Sequence, residues 1–279
     1  MACRIVSDSC SNIFKINQVD YCTVPLKIRV DDHEYADDEN LDTEKMIEHM
    51  ENSAVNSSSC PNVFEWKEAF SGANEIFALT ITSQLSGSYN SCMIAANEYM
   101  EENPGAKVYV IDSLMTGAGM HLIVDKLVSL IQQGLSFEEI KENILAYQKH
   151  THLLFSLESL QNLAKNGRIP MALAKLAGFL SVRFIGKASD DGKFTRLGVA
   201  RGEKKTIAYL LNEIFKLGYQ GGKMYIGHAL NVKAAEKLKT MVLEKLPTAK
   251  VEIEKLGGLN SYYAERGGMI IGFDDLAIE

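Results

Sequence analysis

The chain has no apolar run approaching the ~20 residues that cross a bilayer, which argues against a membrane-spanning helix. Its start, Met1-Ala2-Cys3-Arg4-Ile5-Val6, runs straight into a strand pattern and lacks the apolar core of a signal peptide. Cysteine is scarce and odd in number, and Cys3, Cys10, Cys22, Cys60 and Cys92 show no paired spacing. Free thiols in a reducing cytoplasm are the expectation. No glycine-rich dinucleotide fingerprint follows the first strand and no Walker loop is present. Gly-x-Ser-x-Gly is also missing. Carboxylates and histidines do not fall at metal-ligand spacing, so neither metal nor cofactor is expected. Positive charge is in deficit: 29 basic against 36 acidic residues give a net charge of −7. Such a surface repels phosphate backbones, so nucleic acid is not an expected partner, and membrane contact is at most transient.

What remains is an ordinary globular composition, 46% hydrophobic and 23% charged, in 279 residues, enough for two domains. The first half alternates strand and helix patterns. Strands are expected at Arg4–Val6, Tyr21–Arg29, Glu75–Thr82 and Lys107–Ile111. Helices are expected at Thr43–Glu51, Phe64–Phe70, Gly87–Glu102, Gly117–Gln133 and Ser136–His150, the last with capping-box spacing from Ser136 to Glu139. This order implies a doubly wound, mainly parallel sheet covered on both faces. Beyond a boundary near Lys149–Thr151 the pattern changes. Strands at Leu153–Ser156, Ser181–Ile185, Lys223–His228, Lys250–Lys255 and Met269–Phe273 alternate with helices at Leu157–Asn166, Met171–Leu180, Thr206–Leu217 and Val232–Leu246. A turn at Asp190-Asp191-Gly192-Lys193 implies a hairpin, hence a mixed or antiparallel sheet in a second α/β domain. The acidic run Asp31–Asp42 reads as a solvated loop.

Chemistry concentrates in a few turns. Thr82–Ser91 places hydroxyls and Gly87 where a strand becomes a helix. Free amides and the positive helix end make such a turn an anion site. Ser58-Ser59-Cys60-Pro61-Asn62 reads as a loop between helices, and gains interest if Ser58 converges with Ser86 on one carboxylate. Asp8 and Asp112 each follow a strand, where capping of the next turn is the simplest role. Gly167 suits a left-handed helix stop and Pro170 the first turn of the next helix, which displays Arg168 on the corner between them. The cluster around Arg201, Lys204 and Lys205 reads as an exposed helix start. His150 and His152 have no third ligand in the pattern and are taken as structural, while His228 ends a strand, where a functional role stays open.

In order along the chain, Val6-Ser7-Asp8-Ser9, Ser58–Asn62, Thr82–Ser88, Val110–Ser113, Leu163–Ile169 and Gly198–Lys205 resemble the motifs of the DegV family of bacterial fatty-acid-binding proteins. Thr82–Ser88 stands where that family has Ser-Ser-x-Leu-Ser-Gly-Thr, and Ser58–Asn62 where it has Thr-Ser-x-Pro-Ser. The resemblance implies a Rossmann-like α/β domain at residues 1–150 and an α/β domain at residues 151–279 closing over an apolar tunnel for one long-chain fatty acid. It implies the acyl-carrying subunit of a fatty acid kinase, whose separate ATP-binding subunit phosphorylates the carboxylate for phospholipid synthesis. Ser58 and Ser86 would then hold the carboxylate, helped by the Gly87 and Ser88 amides, while Arg168 and Arg201 face the kinase. Many relatives carry a histidine beside the head group near the C-terminus. Here Ala264 or Glu265 replaces it, which brings Glu265 and Arg266 to the ligand as an opposed charge pair. Met115, Met120, Met171, Phe179 and Phe184 are candidates for the tunnel wall. The alternative is an acyl hydrolase with Ser86 as nucleophile, for which no histidine base stands out.

Overall fold

A computed structural model describes residues 3–174 and 182–277. In chain order it contains β1 (Cys3–Asp8), β2 (Asp20–Val24), β3 (Lys27–Val30), β4 (His33–Ala36), α1 (Thr43–Glu51), β5 (Asn56–Ser59), α2 (Val63–Phe70), β6 (Glu75–Thr80), α3 (Ser88–Glu102), β7 (Lys107–Asp112), α4 (Ala118–Gln132) and α5 (Phe137–Tyr147). It continues with β8 (Thr151–Leu157), α6 (Gln161–Lys165), α7 (Met171–Ala174), β9 (Val182–Ala188), β10 (Phe194–Arg201), α8 (Glu203–Lys216), β11 (Lys223–His228), α9 (Val232–Lys245), β12 (Lys250–Lys255), α10 (Gly258–Ala264) and β13 (Met269–Asp274).

The βα alternation of the first half produces an all-parallel sheet ordered β2-β1-β6-β7. Side chains along a strand alternate between faces, and the burial here follows that period. Val6, Ile76 and Ala78 pack with Trp66 and Phe70 of α2 and Cys92 and Ala95 of α3. Ile5, Phe77 and Leu79 turn the other way, against α4 and α5, where Phe77 stacks on Phe137 at 4.6 Å. Both faces are covered, as the apolar strand runs require.

The second sheet is mixed, ordered β10-β9-β8-β13-β11-β12, with only β11 and β12 parallel. One face, with Leu154, Ile185, Ile226 and Ile271, is sealed by α8 and α9. The other, with Leu153, Phe155, Phe184 and Ile270, joins the core shared with α4. Gly272 permits this: a Cβ there would lie 2.4 Å from the Ala118 backbone, so α4 rests directly on β13.

Three expectations are corrected. Tyr21–Arg29 is not one strand. Pro25 ends β2, and β3 leaves to form a separate antiparallel sheet ordered β4-β3-β5. Proline lacks the amide a ladder needs, which forces the change of sheet. Ser58 lies in strand β5, paired with Ile28, where turn-forming residues had suggested a loop. The acidic run is not all solvated: it contains β4, and Asp37 is fully buried. Its carboxylate accepts from the amides of Gly258 and Leu259 at 2.5 and 3.0 Å and from Ser9 Oγ at 2.9 Å. It therefore caps α10, a helix the sequence pattern did not reveal. Of the expected helix Met171–Leu180 and strand Ser181–Ile185, residues 175–181 lie outside the described residues, as does Phe179.

Candidate functional site

β6 ends at Thr80, and the chain turns before α3 begins with Gly87 at its N-cap. Gly87, without a side chain, makes no cap of its own. Ser86 instead folds over the turn, and its Oγ accepts the Ser88 amide at 3.2 Å. A hydroxyl that accepts in this way still has its proton to donate elsewhere. The turn is held from below by Asp8, whose carboxylate accepts from Ser88 Oγ at 2.7 Å, the Ile81 amide at 2.9 Å and the Cys10 amide at 3.2 Å. Burial outweighs those three donors and pushes the Asp8 carboxyl up to about 7. Asp112 performs a similar service, accepting the Ser83 and Leu114 amides at 3.1 Å each. Both acids cap their turns.

Ser58 arrives on β5 and shares a 2.6 Å hydrogen bond with Tyr263 of α10. The Tyr263 hydroxyl is raised above its ordinary pKa by burial. Over that ring, at 5.6 Å from its centroid, lies the Arg168 guanidinium. Gly167, at φ 74°, ends the α6 segment, and the Arg168 amide closes back on Leu163 O at 2.8 Å. That stop directs Arg168 inward: its Nε donates to Leu85 O at 3.1 Å and its Nη1 to Asn166 O at 2.5 Å. Ser58, Tyr263, Arg168 and the Ser86 turn thus form one linked group drawn from four segments.

All of them line one narrow cavity of about 90 Å³. Its walls are mostly apolar, with Leu26, Met115, Leu153, Phe155, Leu163 and Ile270 among them. Asn260 adds a polar wall, accepting Thr116 Oγ1 at 2.6 Å and donating to Asn12 at 2.8 Å. Among the described residues no aspartate, glutamate or histidine lines the cavity, whereas Arg168, Lys187 and Lys193 do. In a chain with an excess of acids, that selection favours an anionic ligand with an apolar body. The β9–β10 turn closes against the Ser86 turn. Thr82 Oγ1 donates to Gly192 O at 3.0 Å, and Gly192, at φ 78°, leaves no room for a Cβ there.

Of the head-group and partner candidates, the structure brings Ser58, Ser86 and Arg168 to one cavity, whereas Gly87, Ser88, Arg201, Glu265 and Arg266 do not line it. Ser88 is buried with its hydroxyl committed to Asp8, and Gly87 sits against Cys60. Ala264 is the cavity residue of its pair, and Glu265 and Arg266, expected to act together at the head group, lie outside the cavity lining. Glu265 turns away at φ 54° and accepts the Asn162 amide at 3.2 Å; its pKa is raised, with burial the main cause. Arg266 makes a bidentate pair with Glu51 at 2.7 and 3.0 Å. Arg201 is exposed on the edge strand β10, away from the cavity. Of the wall candidates among the described residues only Met115 lines it: Met120 and Phe184 are packed in the core and Met171 is exposed. Tyr263, Asn260, Phe155 and Phe194 were not singled out, because their convergence is tertiary. The described residues contain no helix long and apolar enough to cross a membrane and no group of three candidate metal ligands.

Comparison with known proteins gives a consistent result. Residues 2–273 match the model of a family described as uncharacterised proteins of the DegV family. A DegV domain-containing protein of Streptococcus pneumoniae is 43% identical over 255 residues, covering 91% of each chain. A DegV family protein of Eubacterium eligens, solved loaded with heptadecanoic acid, superposes with a TM-score of 0.96 at 41% identity, over 99% of this chain and all of that one. The Fatty Acid Kinase (Fak) B3 protein of Streptococcus pneumoniae, solved loaded with linoleic acid, gives 0.96 at 40% identity with the same coverage. The chain belongs to the DegV family.

Proposed function

We propose that the protein holds one long-chain fatty acid in this cavity and presents its carboxylate to a separate ATP-dependent kinase subunit, which forms the acyl-phosphate. The observation that carries the reading is that Ser58 and Ser86, 28 positions apart by their numbers, open onto one apolar cavity free of lining acids. Burial of methylenes at about 0.8 kcal/mol each supplies ample affinity for a long chain, so the head group needs orientation more than grip. Neutral hydroxyl donors orient a carboxylate while leaving more charge on the attacking oxygen than a bidentate arginine would. In this reading Arg168 and the exposed Arg201 meet the kinase or the transferred phosphate, and residues 1–150 and 151–279 act as two domains around the ligand. The two neighbours solved with heptadecanoic and linoleic acid support the ligand class, and the kinase name of one supports the partner.

Mass spectrometry of an organic extract of protein purified from bacteria tests the proposal. A stoichiometric fatty acid is expected, with the Ser58→Ala/Ser86→Ala double variant losing it about tenfold or more faster, since a hydrogen bond to a charged group contributes about 1.5–3 kcal/mol. A clean extract together with no uptake of palmitate or oleate would overturn it. The same samples should show no turnover of a chromogenic ester, because no histidine among the described residues lines the cavity beside Ser86.

A further inference from the structure

Strand β8 sends Leu153, Phe155 and Leu157 toward the cavity, and the middle one is placed unusually. Phe155 pairs with Gly186 of β9 on one side and with Ile270 of β13 on the other. A Cβ built on Gly186 would lie 2.3 Å from Phe155 Cζ and 2.5 Å from Cε2, so the ring lies flat across the one residue of β9 that has no side chain. Phe194, from the far strand of the same hairpin, meets it at 4.5 Å between centroids and 35° between planes. Both rings line the cavity. A ring lying over a strand takes up less of the space above it than one standing on it, and here the glycine alone permits the flat position. A packed apolar wall of this kind reports changes of a single methylene.

The geometry points to Phe155, seated on Gly186, as the residue that sets how much acyl chain the cavity admits. The inference rests on the fatty-acid reading above and adds to it a determinant of chain length. Truncating Phe155 opens space beside Phe194, and longer or more strongly bent chains enter it. A methyl on Gly186 acts in the opposite sense, lifting the ring into the cavity and excluding them.

The test is competitive loading of delipidated protein from an equimolar mixture of C14 to C22 saturated and unsaturated fatty acids, read by mass spectrometry of the bound fraction. Phe155→Ala and Phe155→Leu should raise the bound ratio of C20 and longer to C16, at about fourfold for each methylene newly taken from water, with alanine the larger effect. Gly186→Ala should lower that ratio. Because the Thr195 carbonyl also lies 2.6 Å from the added methyl, a thermal melt must accompany that variant. If it does not fold, the two Phe155 variants decide alone. Phe273→Leu, a similar truncation in the core under α8 and α9, should lower the melting temperature and leave the ratio at its wild-type value. Phe155 variants that load like wild type, or a Phe273 variant that shifts the ratio equally, would overturn the inference. Wild type that loads nothing would overturn the fatty-acid reading instead.

Discussion

Asp8 is a carboxyl held where burial opposes its charge. It is fully buried under the Ser86 turn, and burial raises its carboxyl to about 7 against about 3.9 in an unfolded chain. A carboxyl raised in the folded state binds its proton more tightly there. Its contribution to stability is therefore complete below the unfolded value and is lost as pH climbs through 7. Asp37, raised to about 6 by the same cause, behaves alike over a slightly lower window. The melting temperature should accordingly fall between about pH 4 and pH 7, and Asp8→Asn should flatten the upper part of that fall while leaving the part due to Asp37. An unchanged profile in the variant would show that Asp8 does not titrate there. At Arg168 the expected cost is mechanical as well as electrostatic. Arg168→Met removes the donors to Leu85 and Asn166, costing about 1–2 kcal/mol and a few degrees of melting temperature, and it should speed lipid release. Lysine should not restore the wild-type rate, because a point ammonium cannot bond Leu85 and lie flat over Tyr263 together. Release kinetics of a fluorescent fatty acid distinguish these outcomes.

At the scale of elements, the parallel sheet and its helices were legible because each segment carries its own signal. Apolar strand runs end in Ser, Asp or Gly, and Ser136 with Glu139 forms the capping box its spacing announced. The antiparallel β9–β10 hairpin was likewise marked by Asp191-Gly192. Elements made by their partners were not legible. The serines of β5 have little strand preference and are ordered by pairing with β3. α10 begins at Gly258, and its cap comes from Asp37, more than 200 residues away by number. The site divides in the same manner. Ser86 and Arg168 stand in recognisable turns and Ser58 in a run of hydroxyl residues that proves to be a strand, whereas Tyr263 and Phe155 are ordinary aromatic residues until the fold assembles them. The Gly192 turn provides a test at this scale. Gly192→Ala places a methyl 2.2 Å from Thr82 Oγ1 at a φ of 78°, for a cost of about 1–3 kcal/mol. Thr82→Ala in the same chain should recover the part due to overlap and not the part due to backbone conformation. Denaturant melts of the single and double variants measure the division, and strictly additive losses would show that the two residues do not touch.

For the whole molecule, the cavity lies inside the largest apolar core, which draws on both the parallel and the mixed sheet through α4. A ligand there binds the folded chain and has no site on the unfolded one, so it stabilises by mass action, about 2.7 kcal/mol at a hundredfold excess over Kd. Delipidated protein should melt several degrees below the loaded form in a single transition, and added palmitate should restore the difference. Two transitions, with only one of them lipid-dependent, would show that the halves melt independently.

Asn12, just past the first strand, bonds Glu254, Gly257 and Asn260. Synthesis proceeds from the amino end, so Asn12 waits for residues more than 240 positions further on before these bonds form. On the ribosome β1 can pair with its neighbours, but the cavity gains Asn260, Tyr263 and Ile270 only once those residues emerge. Until then the cavity wall is incomplete, so on the proposed fatty-acid reading loading follows the synthesis of that segment.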